Sequence, residues 1–75
     1  MKLSDLKPNQ KGIVTEVVGN SEIKRRLLNM GVVRGVEIRM VRNAPLRDPI
    51  EFEVRGYLLS LRREEAENVI VEVRG

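Results

Sequence analysis

Apolar and polar residues alternate with a period of two over much of the chain, which is typical of short half-buried strands. In "IEFEVR", Ile50, Phe52 and Val54 face one way and the charged residues face the other. The segment at 36–41 shows the same alternation, and three further segments are apolar and short. The pattern therefore predicts five strands, at about 12–18, 36–41, 50–55, 57–62 and 69–74.

One segment follows the helical period instead. In "NSEIKRRLLNMG", Ile23, Leu27 and Met30 fall at i, i+4 and i+7, which places them on one stripe of a helix. Asn20 or Ser21 can accept a hydrogen bond from the first turn and so cap the helix. The segment is predicted to form an α-helix at about 21–30.

Turn residues separate these elements. Gly31 stands where a helix commonly ends in a left-handed residue, and Asn9 tolerates that conformation after Pro8. Gly56 is suited to a tight hairpin between the third and fourth strands. The segment "REEAEN" predicts a short helical turn at about 63–67.

Length and composition set the size and class of the protein. A chain of 75 residues allows one domain, here taken as 1–75, and 41% hydrophobic residues are enough for a core. The chain has no Cys and no His, which excludes disulfides and leaves no thiolate or imidazole ligand for a metal or haem. A small five-stranded sheet exposes two edges unless it curls and closes. We therefore predict a mostly β fold, a small SH3-like five-stranded antiparallel barrel with one helix inserted after the first strand.

The charge is divided between the two parts of the chain. Residues 1–47 carry ten basic and four acidic side chains, a net of +6, whereas residues 48–75 carry four basic and seven acidic ones, a net of −3. A nucleic-acid-binding domain favours one continuous positive face, and single-strand binders add stacking aromatics. Phe52 and Tyr57 are the only aromatic residues, so this function is the weaker alternative.

The sequence shows no catalytic constellation and implies no cofactor. Its serines have no partner of the base type, and Glu51 and Glu53 are explained as the polar face of a strand. The acids at 64–67 open a helical turn, where they favour its dipole. No phosphate-binding glycine loop is present. We expect no enzyme activity and no catalytic residue.

A surface for another protein is the remaining interpretation. Leu28 lies off the apolar stripe of the helix, and Val32 and Val33 follow Gly31. Arginines flanked by aliphatic residues are typical of interfaces. The alternative, that Leu28, Val33 and Leu46 fold under the barrel ends, stays open. The candidate partner-binding residues are Arg25, Arg26, Leu28, Leu46 and Arg47.

Three segments together resemble the FeoA family of small cytoplasmic accessory proteins of ferrous iron uptake. They are "LSDLKPNQKGIV", "RRLLNMGVVRGVEIRMVRNAPLRDPIEFEVRG" and "YLLSLRREEAENVIVE", and the resemblance runs from about Leu3 to Glu72. Each motif alone is weak, but the set is specific. The family often has glycine where this chain has Asn9 and Arg47.

The resemblance implies an SH3-like barrel and a partner, the FeoB-type ferrous iron permease with its cytoplasmic GTPase domain. It does not require direct iron binding. It also implies a cytoplasmic location, at the membrane only through the permease, and leaves a homo-oligomer open.

In the loop "NAPLRDP", Pro45 and Pro49 would hold Leu46 and Arg47 rigid, so that docking costs little entropy. Alternatively, the prolines only shape a barrel connection. The competing function is a basic module that binds nucleic acid or another regulatory protein.

Overall fold

The computed structural model describes residues 1–42 and 48–74. A short 3-10 turn at Leu3–Asp5 precedes the regular elements. The strands and helices are β1 (Lys11–Val17), α1 (Ser21–Asn29), β2 (Glu37–Arg42), β3 (Ile50–Val54), β4 (Tyr57–Leu61), α2 (Arg63–Ala66) and β5 (Val69–Arg74). All five predicted strands and both predicted helical segments are therefore confirmed, with ends that differ by at most one residue.

The strands form one antiparallel sheet in the order β4-β3-β2-β1-β5. Leu61 of the edge strand β4 and Val69 of the opposite edge strand β5 lie in the same buried cluster, so the sheet curls around its own core. Irregularities in pairing at 14–16 of β1 and 40–42 of β2 bend these strands, as bulges do. The fold is SH3-like, as the alternation predicted.

The core consists largely of the apolar positions that the alternation and the helical stripe selected. Phe52 is fully buried at the centre of β3, with Ile50 and Val54 on the same face. Leu27 is the one fully buried residue of α1, and Ile23 and Met30 pack against the cluster. The periodic patterns did not select four further members of the core, which are Leu3, Leu6, Val32 and Ala66. In β5, Val69 and Val71 are buried, whereas Val73 near the end of the strand is exposed.

Helix α1 begins and ends through two local interactions. The Asn20 side-chain carbonyl accepts a hydrogen bond of 2.9 Å from the Ile23 N–H, which confirms Asn20 as the cap. Gly31 follows with φ +88°, and the Val32 N–H returns to the Leu27 carbonyl at 3.0 Å. This is a glycine-terminated helix end.

The two edges of the sheet are not paired with each other in the described ranges. At the C-terminal end of α1, the Tyr57 hydroxyl of β4 donates to the Met30 carbonyl at 2.9 Å. On another side of the helix, the Arg26 guanidinium forms an ion pair with Glu65 of α2, which precedes β5 in the chain. Helix α1 is therefore tied to the edge strand β4 and, through α2, to the segment that leads into β5.

The turns show which residues carry the left-handed conformation. Asn9 has φ +69°, in the place where glycine was noted as the alternative, and its side-chain oxygen accepts a 3.0 Å hydrogen bond from Arg39. In the β3–β4 hairpin, both Arg55 and Gly56 have positive φ. The glycine was predicted; the arginine was not, because this residue type carries no turn signal.

Gly31→Ala is expected to destabilise the protein more than Gly35→Ala does. Both glycines have left-handed φ, +88° and +92°, which costs a non-glycine residue about 1–2 kcal/mol. A Cβ at Gly31 would also overlap the Tyr57 hydroxyl and break a hydrogen bond worth about 1 kcal/mol, whereas a Cβ at Gly35 meets nothing. Urea denaturation of the two variants measures the difference.

The variant Tyr57→Phe provides the control. In that background the hydroxyl is gone, so the costs of Gly31→Ala and Gly35→Ala should converge. Equal costs in the wild-type background would contradict the close approach of Tyr57 to Gly31.

Candidate partner-binding site

Helix α1 presents the described part of the predicted partner-binding set to solvent. Leu28 is 59% exposed, so it does not fold under the barrel end. Arg25, three residues earlier, is exposed on the same side of the helix. Leu46 and Arg47 lie outside the described residues. Val33 is half-buried against the core, so the alternative holds for Val33 and not for Leu28; Val32, which precedes it, is buried.

Leu28 borders a groove between α1, the end of β1 and the segment that follows Gly31. We call it the Leu28 groove; its volume is about 340 Å³. Val17 and Val33 add apolar surface to the groove beside Leu28, and the aliphatic part of Lys24 lies one helical turn before Leu28. The groove is lined by Thr15, Glu16, Val17, Lys24, Leu28, Val32, Val33 and Arg34.

Cations without ionic partners border this apolar surface. Lys24, Arg25 and Arg34 form no ion pair with any residue of 1–42 or 48–74. Lys24 and Leu28 also border a second, adjoining depression with Arg25 and the residues that cap α1. Glu16 is the one acid of the groove. The result is an apolar floor with an excess of positive charge at its rim.

Arg26, also predicted as a contact, points to a different part of the molecule. Its guanidinium forms an ion pair with Glu65 of α2, whose side chain is almost buried. The other oxygen of Glu65 accepts a 2.9 Å hydrogen bond from the Arg62 N–H at the start of α2. Arg26 therefore holds the two helices together and does not border the Leu28 groove.

A second concave surface lies between α1 and α2, with a volume of about 730 Å³. Its lining mixes acids and bases: Lys2, Arg26 and Arg62 alternate with Glu22, Glu64, Glu65 and Glu67. Among the residues the structure describes, no group of three or more Asp or Glu side chains is placed to hold a metal ion. Ile23 is its one apolar lining residue, and the cleft does not offer a single sign of charge, so it is the weaker candidate.

The sequence did not indicate two features of the surface. Leu58 is 61% exposed on the edge strand β4, although four of the five residues of that strand are Tyr or Leu. Arg39, which could have extended a positive patch, pairs with Glu53 across the β2–β3 ladder at 2.9 Å. The exposure of Leu58 could have been inferred from the alternation, since Leu58 falls between Tyr57 and Leu59, which lie on the opposite face of the strand. The signal for the second is the register, which the sequence alone does not give.

No helix within the described ranges is both long and apolar enough to cross a bilayer. The longer of the two, α1, has nine residues, and three of them are basic.

The fold and this surface define a small SH3-like domain with an apolar surface groove and, in its described part, no cluster of acidic side chains placed to hold a metal ion. Comparison with known proteins identifies it further. The FeoA domain family model matches residues 1–73. The chain belongs to the FeoA family, the accessory proteins of ferrous iron transport.

Three relatives illustrate the match. A Fe(2+) transport protein A/Fe(2+) transporter FeoB fusion protein of Porphyromonas gingivalis is 40% identical over 73 residues, 97% of this chain but 9% of that protein. The solution structure of FeoA from Chlorobium tepidum is 44% identical, with a TM-score of 0.89 over 100% of this chain and 71% of that one. FeoA of Stenotrophomonas maltophilia, a prokaryotic SH3 domain protein solved with zinc, is 36% identical with a TM-score of 0.83, over 96% and 89% of the two chains.

Glu65→Ala is expected to destabilise the protein by about 2 kcal/mol, because it removes both the hydrogen bond to the Arg62 N–H and the ion pair with Arg26. Glu65→Gln should cost less, since its amide oxygen can still accept from Arg62. Arg26→Ala removes a largely exposed partner but leaves a nearly buried carboxylate, so it should fall between the wild type and Glu65→Ala. Chemical denaturation ranks the three variants; equal stability of Glu65→Ala and wild type would contradict the assignment.

Proposed function

We propose that the protein is a non-enzymatic accessory protein that docks through the Leu28 groove on the cytoplasmic part of a FeoB-type ferrous iron permease. The observation that carries the proposal is the exposure of Leu28 in an apolar groove whose rim has unpaired cations. A leucine at such a position lowers the free energy of association when a partner covers it.

The choice of partner rests on the relative from Porphyromonas gingivalis. In that protein a region 40% identical to this chain is part of the same polypeptide as a FeoB transporter. Fusion keeps two domains at high effective concentration, which benefits a pair that interacts. By analogy, the separate chain would reach the cytoplasmic face of such a permease, and this location is part of the proposal.

The unpaired Arg25 beside Leu28 fits the docking role, since rim charges steer association. Arg26 is assigned to the α1–α2 contact instead, because its guanidinium is already paired with Glu65. The bond between Tyr57 and Met30 fixes the C-terminal end of the helix, so the groove is held in place before a partner arrives.

Leu28→Asp is expected to weaken binding to the cytoplasmic domain of a FeoB-type permease at least tenfold, about 1.4 kcal/mol, because it places a charge in an apolar contact. Leu58→Asp is the matched control, since the two leucines are 59% and 61% exposed and only Leu28 lies in the groove.

When labelled protein is titrated with the permease domain, the chemical shifts of α1 and of the 32–34 segment should change. Ferrous iron uptake by cells should fall for Leu28→Asp and not for Leu58→Asp; the reverse order would refute the site.

The proposal extends to Leu46 and Arg47 on the proline-rich loop. The double variant Leu46→Asp/Arg47→Glu should fold with wild-type stability and reduce ferrous iron uptake, because these residues are expected to add contacts with the partner. Thermal unfolding controls for folding. Wild-type uptake by the folded double variant would remove the loop from the interface and leave the groove unaffected.

A further inference from the structure

The chemistry of the Leu28 groove indicates what kind of segment it binds, and this inference rests on the proposed docking function. We infer that the groove receives a short acidic segment of the partner, with aliphatic side chains on one face and carboxylates on the other. The apolar floor, the charge of the rim and the size of the groove each support this assignment.

The floor selects aliphatic side chains. Leu28 and Val17 both line the groove, and the half-buried Val33 adds a third branched side chain. The described part of the groove contains no aromatic residue, so it does not present the stacking surface that proline-rich ligands or bases use. Leucine, isoleucine or valine of a partner would remove apolar area from water there, at roughly 25 cal/mol per Å².

The positive charge of the rim favours a negatively charged segment of the partner. Lys24 and Arg34 line the groove and Arg25 borders the adjoining depression, and none of the three is neutralised by an acid in the described ranges. Elsewhere the same protein does pair its arginines, Arg26 with Glu65 and Arg39 with Glu53. Glu16 offsets only one charge. Carboxylates flanking the apolar residues of the partner would therefore complement the rim.

The size and the walls favour a segment over a flat surface. A volume of about 340 Å³ is at the lower limit of small-ligand pockets, which corresponds to a few side chains. One wall is α1, whose backbone groups are engaged within the helix, so that wall offers side chains and no ladder of free N–H and C=O groups. An amphipathic helix that satisfies its own backbone is the segment that suits it, in the helix-in-groove mode.

The test uses two synthetic amphipathic peptides with leucines on one helical face, and either glutamates or lysines on the other. Binding to the full chain is followed by fluorescence anisotropy. The glutamate peptide should bind at least tenfold more tightly than the lysine peptide, and the preference should weaken as salt rises. In Lys24→Glu/Arg34→Glu the preference should reverse. Lys7→Glu/Lys11→Glu, with the same change in net charge on exposed residues distant from the groove, should keep the wild-type preference.

The outcomes separate this inference from the proposed function. Equal binding of both peptides, or no binding of either, overturns the acidic segment; if Leu28→Asp still abolishes docking of the permease domain, the proposed function stands without it. A preference for the glutamate peptide that reverses when the rim charges are reversed supports the inference. If the permease domain nevertheless does not dock, the choice of partner is contradicted. Phosphatidylglycerol vesicles that displace the glutamate peptide, with no effect of neutral vesicles, would instead assign the groove to an anionic membrane surface and overturn the inference.

Discussion

The whole structure depends on how the opening between the two edge strands of a small curled sheet is covered. β4 and β5 belong to the same core but stand at opposite ends of the strand order. A chain of 75 residues without disulfides has only packing to stabilise it, so an open side would expose the centre of the core. Leu27 of α1 is fully buried in that core. A hydrogen bond from Tyr57 attaches the end of the helix to β4, and the ion pair of Arg26 with Glu65 attaches the helix to α2, which precedes β5.

This arrangement explains why one short helix can serve stability and binding together. The face with Leu27 is required by the core, and the side with Arg26 is tied to Glu65 of α2. The remaining side carries Lys24, Arg25 and Leu28, which have no structural partner in the described ranges. A helix fixed along two sides presents its third side in a defined orientation, which favours recognition because little freedom is lost on binding.

Periodicity was sufficient to predict the elements and most of the core, because it depends on residues close together in the chain. The SH3-like class needed a further argument, that a small sheet curls to close its edges. Ile50, Phe52 and Val54 could face only one way, and Asn20 and Gly31 acted on their own helix. The site was less accessible, since it depends on register and on which helix faces meet. Leu28 could be identified as a residue off the stripe, but the pairing of Arg26 with Glu65 joins residues 39 positions apart, and no local signal distinguishes Arg26 from Arg25.

The contact between Tyr57 and the end of α1 also makes the protein a natural optical reporter. The chain contains one tyrosine and no tryptophan, so its near-ultraviolet absorption and intrinsic emission come almost entirely from Tyr57. The hydroxyl of that ring donates to the Met30 carbonyl, next to the residues that lead into the Leu28 groove. Any event that shifts the end of the helix changes the environment of this single chromophore, and so the unlabelled protein carries its own spectroscopic signal.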